Sequence, residues 1–213
     1  MLRMSAFNNF GSQQWLAGLL LSLPAVLWAL SFHEFCHGWV AYRMGDRTAA
    51  HQGRLSLNPL DHLDPIGTLM LILFRFGWAK PVPINSRYFK NPRRGIVLVS
   101  LAGSGGNFLT ALVCGVLINL FPDLFLGHWA LREFMINMLW INVGLGVFNL
   151  IPIPPLDGSK VLAMFLPPRA MNGFFFLERY GMPIILILVV FGVIQAIMTP
   201  ISLFLVNLFL FRF

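Results

Sequence analysis

Apolar residues in this chain of 213 arrive in long runs, and each run is bounded by polar residues or prolines. The first, about Trp15 to Tyr42, is long enough to cross a bilayer at about 1.5 Å per residue and predicts one helix. A second spans about Ile96 to Phe121, a third about Phe134 to Ile153, and a fourth about Met182 to Met198. Beyond Pro200, "ISLFLVNLFLFRF" is apolar but short: it extends the fourth span, returns as a half-helix or lies in the membrane interface. The stretch between the first two runs reads differently. Its apolar core, Pro65 to Leu73, is too short to span, "RLSLN" alternates with period 2, and Pro81 and Pro83 exclude helix interior from "AKPVPIN". Short strands around a re-entrant or membrane-edge segment are predicted there, bordering a polar pocket, because non-helical backbone at that depth needs protein or water beside it.

Composition agrees with this pattern. The chain is 57% hydrophobic and only 11% charged, whereas a soluble domain carries about a quarter charged residues. The class is therefore an all-α polytopic membrane protein. A net charge of +7 would suggest nucleic acid for a soluble chain, but in a membrane protein it marks loops on the cytoplasmic side, and no nucleic-acid partner is expected. Arg75, Lys80, Arg87, Lys90, Arg93 and Arg94 precede the second run, and Lys160, Arg169 and Arg179 follow the third. The loop "PDLFLGHWALRE" holds only Arg132. The basic stretches are thus placed inside and that loop outside; if the segment between the first two runs does not cross, Arg43, Arg47 and Arg54 are also inside and the first and third spans run in the same direction. Residues 1 to 14 do not resemble a cleaved signal, and the first run is read as a retained span.

Against that background "SFHEFCHGWVAY", residues 31 to 42, is anomalous. His33, Glu34 and His37 form H-E-x-x-H, which on a helix puts both imidazoles on one face with a carboxylate beside them. Ionisable groups inside a membrane are costly and default to function, here zinc binding by the histidines with Glu34 as general base. Catalytic zinc takes three protein ligands and keeps one position open. The candidate third ligand is Asp157 in "NLIPIPPLDGSKVL", where Pro152, Pro154 and Pro155 break the helix and let a side chain turn back. Asn107, after the glycines of "VSLAGSGGNFLTAL", and Asn149 could each donate to a substrate carbonyl or oxyanion, or simply tie helices together. His51 and His62 suit supporting or solvated roles, His128 an exposed one, and Cys36 packing. With Cys114 it forms no C-x-x-C pair. A membrane metal or ion transporter would also bury His and Asp, but with polar groups spread along a path. An inactive binding scaffold would tend to lose Glu34 or a ligand.

His33-Glu34-x-x-His37, the glycine-rich Asn107 segment and Asn149…Asp157-Gly158, in this order over about residues 25 to 165, resemble the site-2 protease family of intramembrane zinc metalloproteases. The likeness is to its compact prokaryotic branch without PDZ or CBS domains. It implies a three-helix catalytic core, about 15–165, with a membrane-associated sheet between its first two helices; the later apolar runs add C-terminal membrane segments at about 180–213, and 1–213 is read as one domain. It further implies one Zn²⁺ per chain on His33, His37 and Asp157, and transmembrane segments of other proteins as substrates. The location expected is a bacterial or archaeal plasma membrane, and with Asp157 at the inner end of the third span and His33 to His37 past the middle of the first, the site is expected nearer the cytoplasm. The family's second-helix motif, Ala-Gly-Pro before the Asn, appears here as Ala102-Gly103-Ser104, without the proline. Oligomeric state is not legible.

Overall fold

The computed structural model describes residues 13–74 and 77–211. The reading of residues 1 to 14 falls almost wholly outside them, as does Arg75. The first apolar run forms one helix, α1 (Gln13–Arg43), which accommodates Pro24. It stops at Gly45, whose φ of +108° turns the chain. Next come a single turn, α2 (Thr48–His51), a 3-10 turn at Pro59–Asp61 and a ten-residue helix, α3 (Pro65–Phe74). After a second 3-10 turn, Ser86–Tyr88, the long helix α4 (Pro92–Leu120) opens on Asn91, whose side chain accepts from Arg94 N–H at 3.1 Å. Short α5 (Pro122–Gly127) leads to α6 (Trp129–Asn149), which ends before Pro152, since the residue preceding a proline resists helical geometry. Then follow α7 (Asp157–Ala163), α8 (Pro168–Val190) and α9 (Val193–Phe209).

Helices α1, α4 and α6 form the central bundle. Along α1 from Trp28 to His37, the partners on α4 recede from Thr110 to Val99, so these two helices are antiparallel. Asn142 of α6 meets Asn107 of α4, and the chain beyond α6 reaches the imidazoles that lie against Gly103. Helix α6 therefore also runs against α4, and parallel to α1. Small residues permit this closeness: Ala25, Ala29 and Ala111 are wholly buried. The outward faces are apolar, with Leu109, Val113 and Leu120 on α4 and Phe176, Ile187 and Val190 on α8 all exposed. Among the described residues α4 and α8 are long and apolar enough to cross a membrane.

Two expectations change. The apolar run from Met182 to Met198 is not one span: it divides at Gly192, whose φ of +74° ends α8 and starts α9. The segment past Pro200 is helical and folds back, burying Val206 and Leu210 in the cluster that holds Ala111, Leu139 and Val143. The predicted strands between the first two spans do not form among the described residues. One bridge pairs Leu63 with Ala79, and Pro65–Phe74 is helix. Pro81 and Pro83 lack the donors a ladder needs, and Arg54 takes the carbonyls of Lys80 and Pro81 at 2.8 and 3.4 Å.

Segment 79–85 is instead a clamped strap. Lys80 N–H donates to His62 O at 2.8 Å, and Asn85 N–H donates to the buried Asp46 at 2.6 Å. Val82, between these ties, is buried with its side chain close to Gly38 of α1. On the opposite side, α8 supports the proline loop after α6. A Cβ on Gly181 would fall 1.9 Å from Pro154 O, and Ile185 and Ile194 pack with Ile151 and Leu156.

The docking of α9 can be tested at Gly115, where a Cβ would lie 2.3 Å from Phe209 O. Gly115→Val is expected to destabilise the protein by about 1–3 kcal/mol, the usual penalty of overpacking, read as a lower thermal midpoint in detergent. An unchanged midpoint would mean that α9 does not rest there.

Candidate active site

His33 and His37 lie one helical turn apart on the inner face of α1, each 5% exposed, with Glu34 half-buried beside them. Asp157, the first residue of α7, is 6% exposed and is brought back to them by the proline loop. His33 Nε2 and His37 Nε2 are 2.9 Å apart, and Asp157 Oδ2 lies 3.2 and 2.9 Å from them. Gly103 of α4 closes the other side, for a Cβ there would stand 2.5 Å from both imidazoles.

The outer nitrogens are committed elsewhere. His37 Nδ1–H donates to Val99 O at 2.6 Å, since a carbonyl can only accept. His33 Nδ1 meets Asn107 Oδ1 at 2.7 Å, and the Asn107 amide donates to Ala29 O at 3.0 Å and to Asn142 Oδ1 at 2.9 Å. Asn142 in turn donates to Met138 O at 2.8 Å. The two backbone carbonyls fix which way both amides face. Asn107 Oδ1 must therefore accept, and His33 Nδ1 must carry the proton.

In the neutral rings that metal binding requires, a proton on Nδ1 leaves each Nε2 a lone pair, and both face the same carboxylate oxygen. Such a set suits a cation. A tetrahedral ion with bonds of about 2.0–2.1 Å to nitrogen has ligands about 3.3 Å apart, close to the spacing found, so these three residues can hold one metal ion. Hydrogen-bonded outer nitrogens are the usual support for metal-binding histidines.

Glu34 points elsewhere: its Oε2 accepts from Val82 N–H at 2.8 Å. The flanking Pro81 and Pro83 have no N–H, so Val82 supplies the only amide donor at this bend in the strap. Lys160 Nζ contacts Asp157 Oδ1 at 2.8 Å.

The remaining candidates separate. Asn107 is wholly buried with both amide hydrogens engaged, so it faces His33 rather than open space. Asn149 donates to Leu145 O of its own helix at 3.0 Å. His51 and His128 are exposed, while His62 is buried and donates to Ser56 O at 2.8 Å. Cys36 packs against Gly106, where a Cβ would meet its sulfur at 2.5 Å. Three participants were not anticipated. Asn142 carried a signal, a polar side chain two turns before Asn149 in an apolar helix. Lys160 stands three residues after Asp157, a spacing that pairs charges on a helix. Val82 acts through backbone and left no signal beyond its flanking prolines.

A family model described as Peptidase family M50 matches residues 125–192. A Bacillus subtilis (strain 168) protein named "Putative zinc metalloprotease YwhC" is 40% identical over 167 residues, covering 76% of each chain. Proteins carrying the same description, Rip2 of Mycolicibacterium smegmatis and MJ0611 of Methanocaldococcus jannaschii, are 29% and 30% identical; the matches cover 80% and 67% of this chain, and 67% and 69% of theirs. No solved structure matches. With membership of this family the transporter reading falls away. The chain belongs to Peptidase family M50, the site-2 protease family, and is a membrane zinc metalloprotease that acts on protein substrates.

Proposed function

We propose that this protein is a multi-pass intramembrane protease that hydrolyses peptide bonds in or near transmembrane segments of other proteins, with its site toward the cytoplasmic side. The observation that carries this is the convergence of His33 Nε2, His37 Nε2 and Asp157 Oδ2 beside Glu34, inside a bundle whose outward faces are apolar. Those three atoms are assigned as the zinc ligands. When bound, zinc supplies Lewis acidity and acidifies a water toward a pKa of about 7.

The residues of the chain account for the rest. Val82 N–H anchors Oε2 of Glu34, which leaves Oε1 to act as general base. Glu34 takes a proton as the water oxygen bonds to the scissile carbonyl carbon. It returns that proton to the leaving nitrogen as the C–N bond breaks, giving a carboxylate and an amine. Asn107 is assigned as a positioning residue that holds His33 in the metal-binding tautomer. Asn149, with one amide hydrogen left after its bond to Leu145 O, is the candidate donor to the substrate carbonyl.

A helical substrate keeps its carbonyls in i→i−4 hydrogen bonds, so it must unwind before attack. The strap at 79–85, non-helical and beside Glu34, is suited to lie along the unwound stretch. The basic residues around α4 and α7 support the cytoplasmic assignment.

Glu34→Gln is expected to retain one zinc per chain while slowing cleavage of a helical transmembrane peptide by about 10²–10⁴-fold. Full activity in that variant would remove Glu34 as base. Asn107→Ala is expected to weaken zinc about 10–100-fold in chelator competition, with Asn149→Ala leaving zinc affinity unchanged. Equal affinities in wild type and Asn107→Ala would show that the network does not orient His33.

A further inference from the structure

The two oxygens of Asp157 have different partners. Oδ2 faces both imidazoles, at 3.2 Å from His33 Nε2 and 2.9 Å from His37 Nε2. Oδ1 is held by Lys160 Nζ at 2.8 Å, one turn along the same short helix. The burial of the two side chains is just as unequal: the carboxylate is 7% exposed and the lysine 53% exposed. The lysine thus reaches in from the rim and fastens one oxygen of a buried group, while its own chain stays largely outside.

Geometry at the backbone keeps the carboxylate from escaping this division. Asp157 starts α7 directly after the proline loop, and Gly158 lies so close to that loop that a Cβ would fall 2.2 Å from Leu150 O. At the far end of α7, Arg93 of α4 donates through Nε to Met164 O at 2.8 Å. With both ends of α7 tied, Lys160 and Asp157 are held in register. The remaining freedom of Asp157 is rotation of its carboxylate, and the ammonium restrains that rotation.

A carboxylate can bind a metal through one oxygen or through two. A catalytic zinc with three protein ligands needs its fourth position for water and substrate, and a second oxygen from Asp157 would compete for it. We propose that Lys160 is a positioning residue that confines Asp157 to a single metal-binding oxygen, Oδ2, and so keeps that fourth position open. This rests on the assignment of His33, His37 and Asp157 as ligands. It also gives a reason for a cation so near a metal centre, where its charge alone would weaken metal binding.

The experiment uses full-length protein in detergent, loaded with Co²⁺ in place of zinc, because the visible bands of Co²⁺ are strong in four-coordinate sites and weaker in five-coordinate ones. Wild type is expected to give four-coordinate bands at one cobalt per chain. Lys160→Met should keep that stoichiometry and lose band intensity by several-fold, as Oδ1 joins the metal. Lys160→Arg, which still reaches Oδ1 with a cation, should restore the wild-type spectrum. Because the lysine is half exposed, Lys160→Ala removes the contact without opening a cavity and serves if the methionine variant does not fold. Identical four-coordinate spectra in wild type, Lys160→Met and Lys160→Ala would overturn the role of Lys160 and leave the ligand assignment standing. A wild-type spectrum that survives His33→Ala would instead overturn the ligand assignment itself.

Discussion

A polar group buried between apolar helices must find its partner there, because lipid offers none. For His33, Asn107 and Asn142, at the centre of the bundle, one connected chain of hydrogen bonds meets this constraint. Met138 O receives from Asn142, Asn142 receives from Asn107, and Asn107 receives from His33. Each of the three central helices contributes to it. The network therefore fixes the relative depth of α1, α4 and α6 and, at its end, the proton on His33. A shift of one helix by a turn would strand several amide groups at once, so packing and chemistry are locked to the same register.

The two irregular segments complete what the helices cannot. A continuous α6 would carry Asp157 past the site. The prolines at 152, 154 and 155 stop that helix, and α8 presses the resulting loop inward through Gly181. On the other side, the strap at 79–85 brings a backbone amide to Glu34, tied at His62, Arg54 and Asp46. Each of these segments brings one group to the site. The family to which the chain belongs uses zinc for proteolysis, and the residues meeting here are of the types that chemistry needs.

Legibility in the sequence followed the range of the interaction. H-E-x-x-H is a local pattern, and periodicity alone places its histidines on one face. Asp157 could be nominated because three prolines beside it, at the end of an apolar run, stop the helix and free an acidic side chain to turn back into the bundle. Asn142 stands out as a polar letter in an apolar helix, but its partner does not, because which residue of α4 stands opposite is a matter of helix depth that no local spacing records. Glu34's anchor at Val82 was hidden, since a backbone amide has no letter of its own. The expected strands failed for a related reason. "RLSLN" has the alternation of a strand, but its would-be partner is rich in proline and its carbonyls are taken by Arg54. The division of the last apolar run turned on one residue, Gly192, within a composition that otherwise reads as continuous.

Zinc K-edge X-ray absorption of the purified wild-type protein reads the ligand set of the ion itself. Two imidazole nitrogens and oxygen ligands at about 2.0–2.2 Å, with no sulfur, are expected. A sulfur at about 2.3 Å, which would bring in Cys36, or a shell with fewer than two imidazoles would contradict the meeting of His33, His37 and Asp157 on one ion.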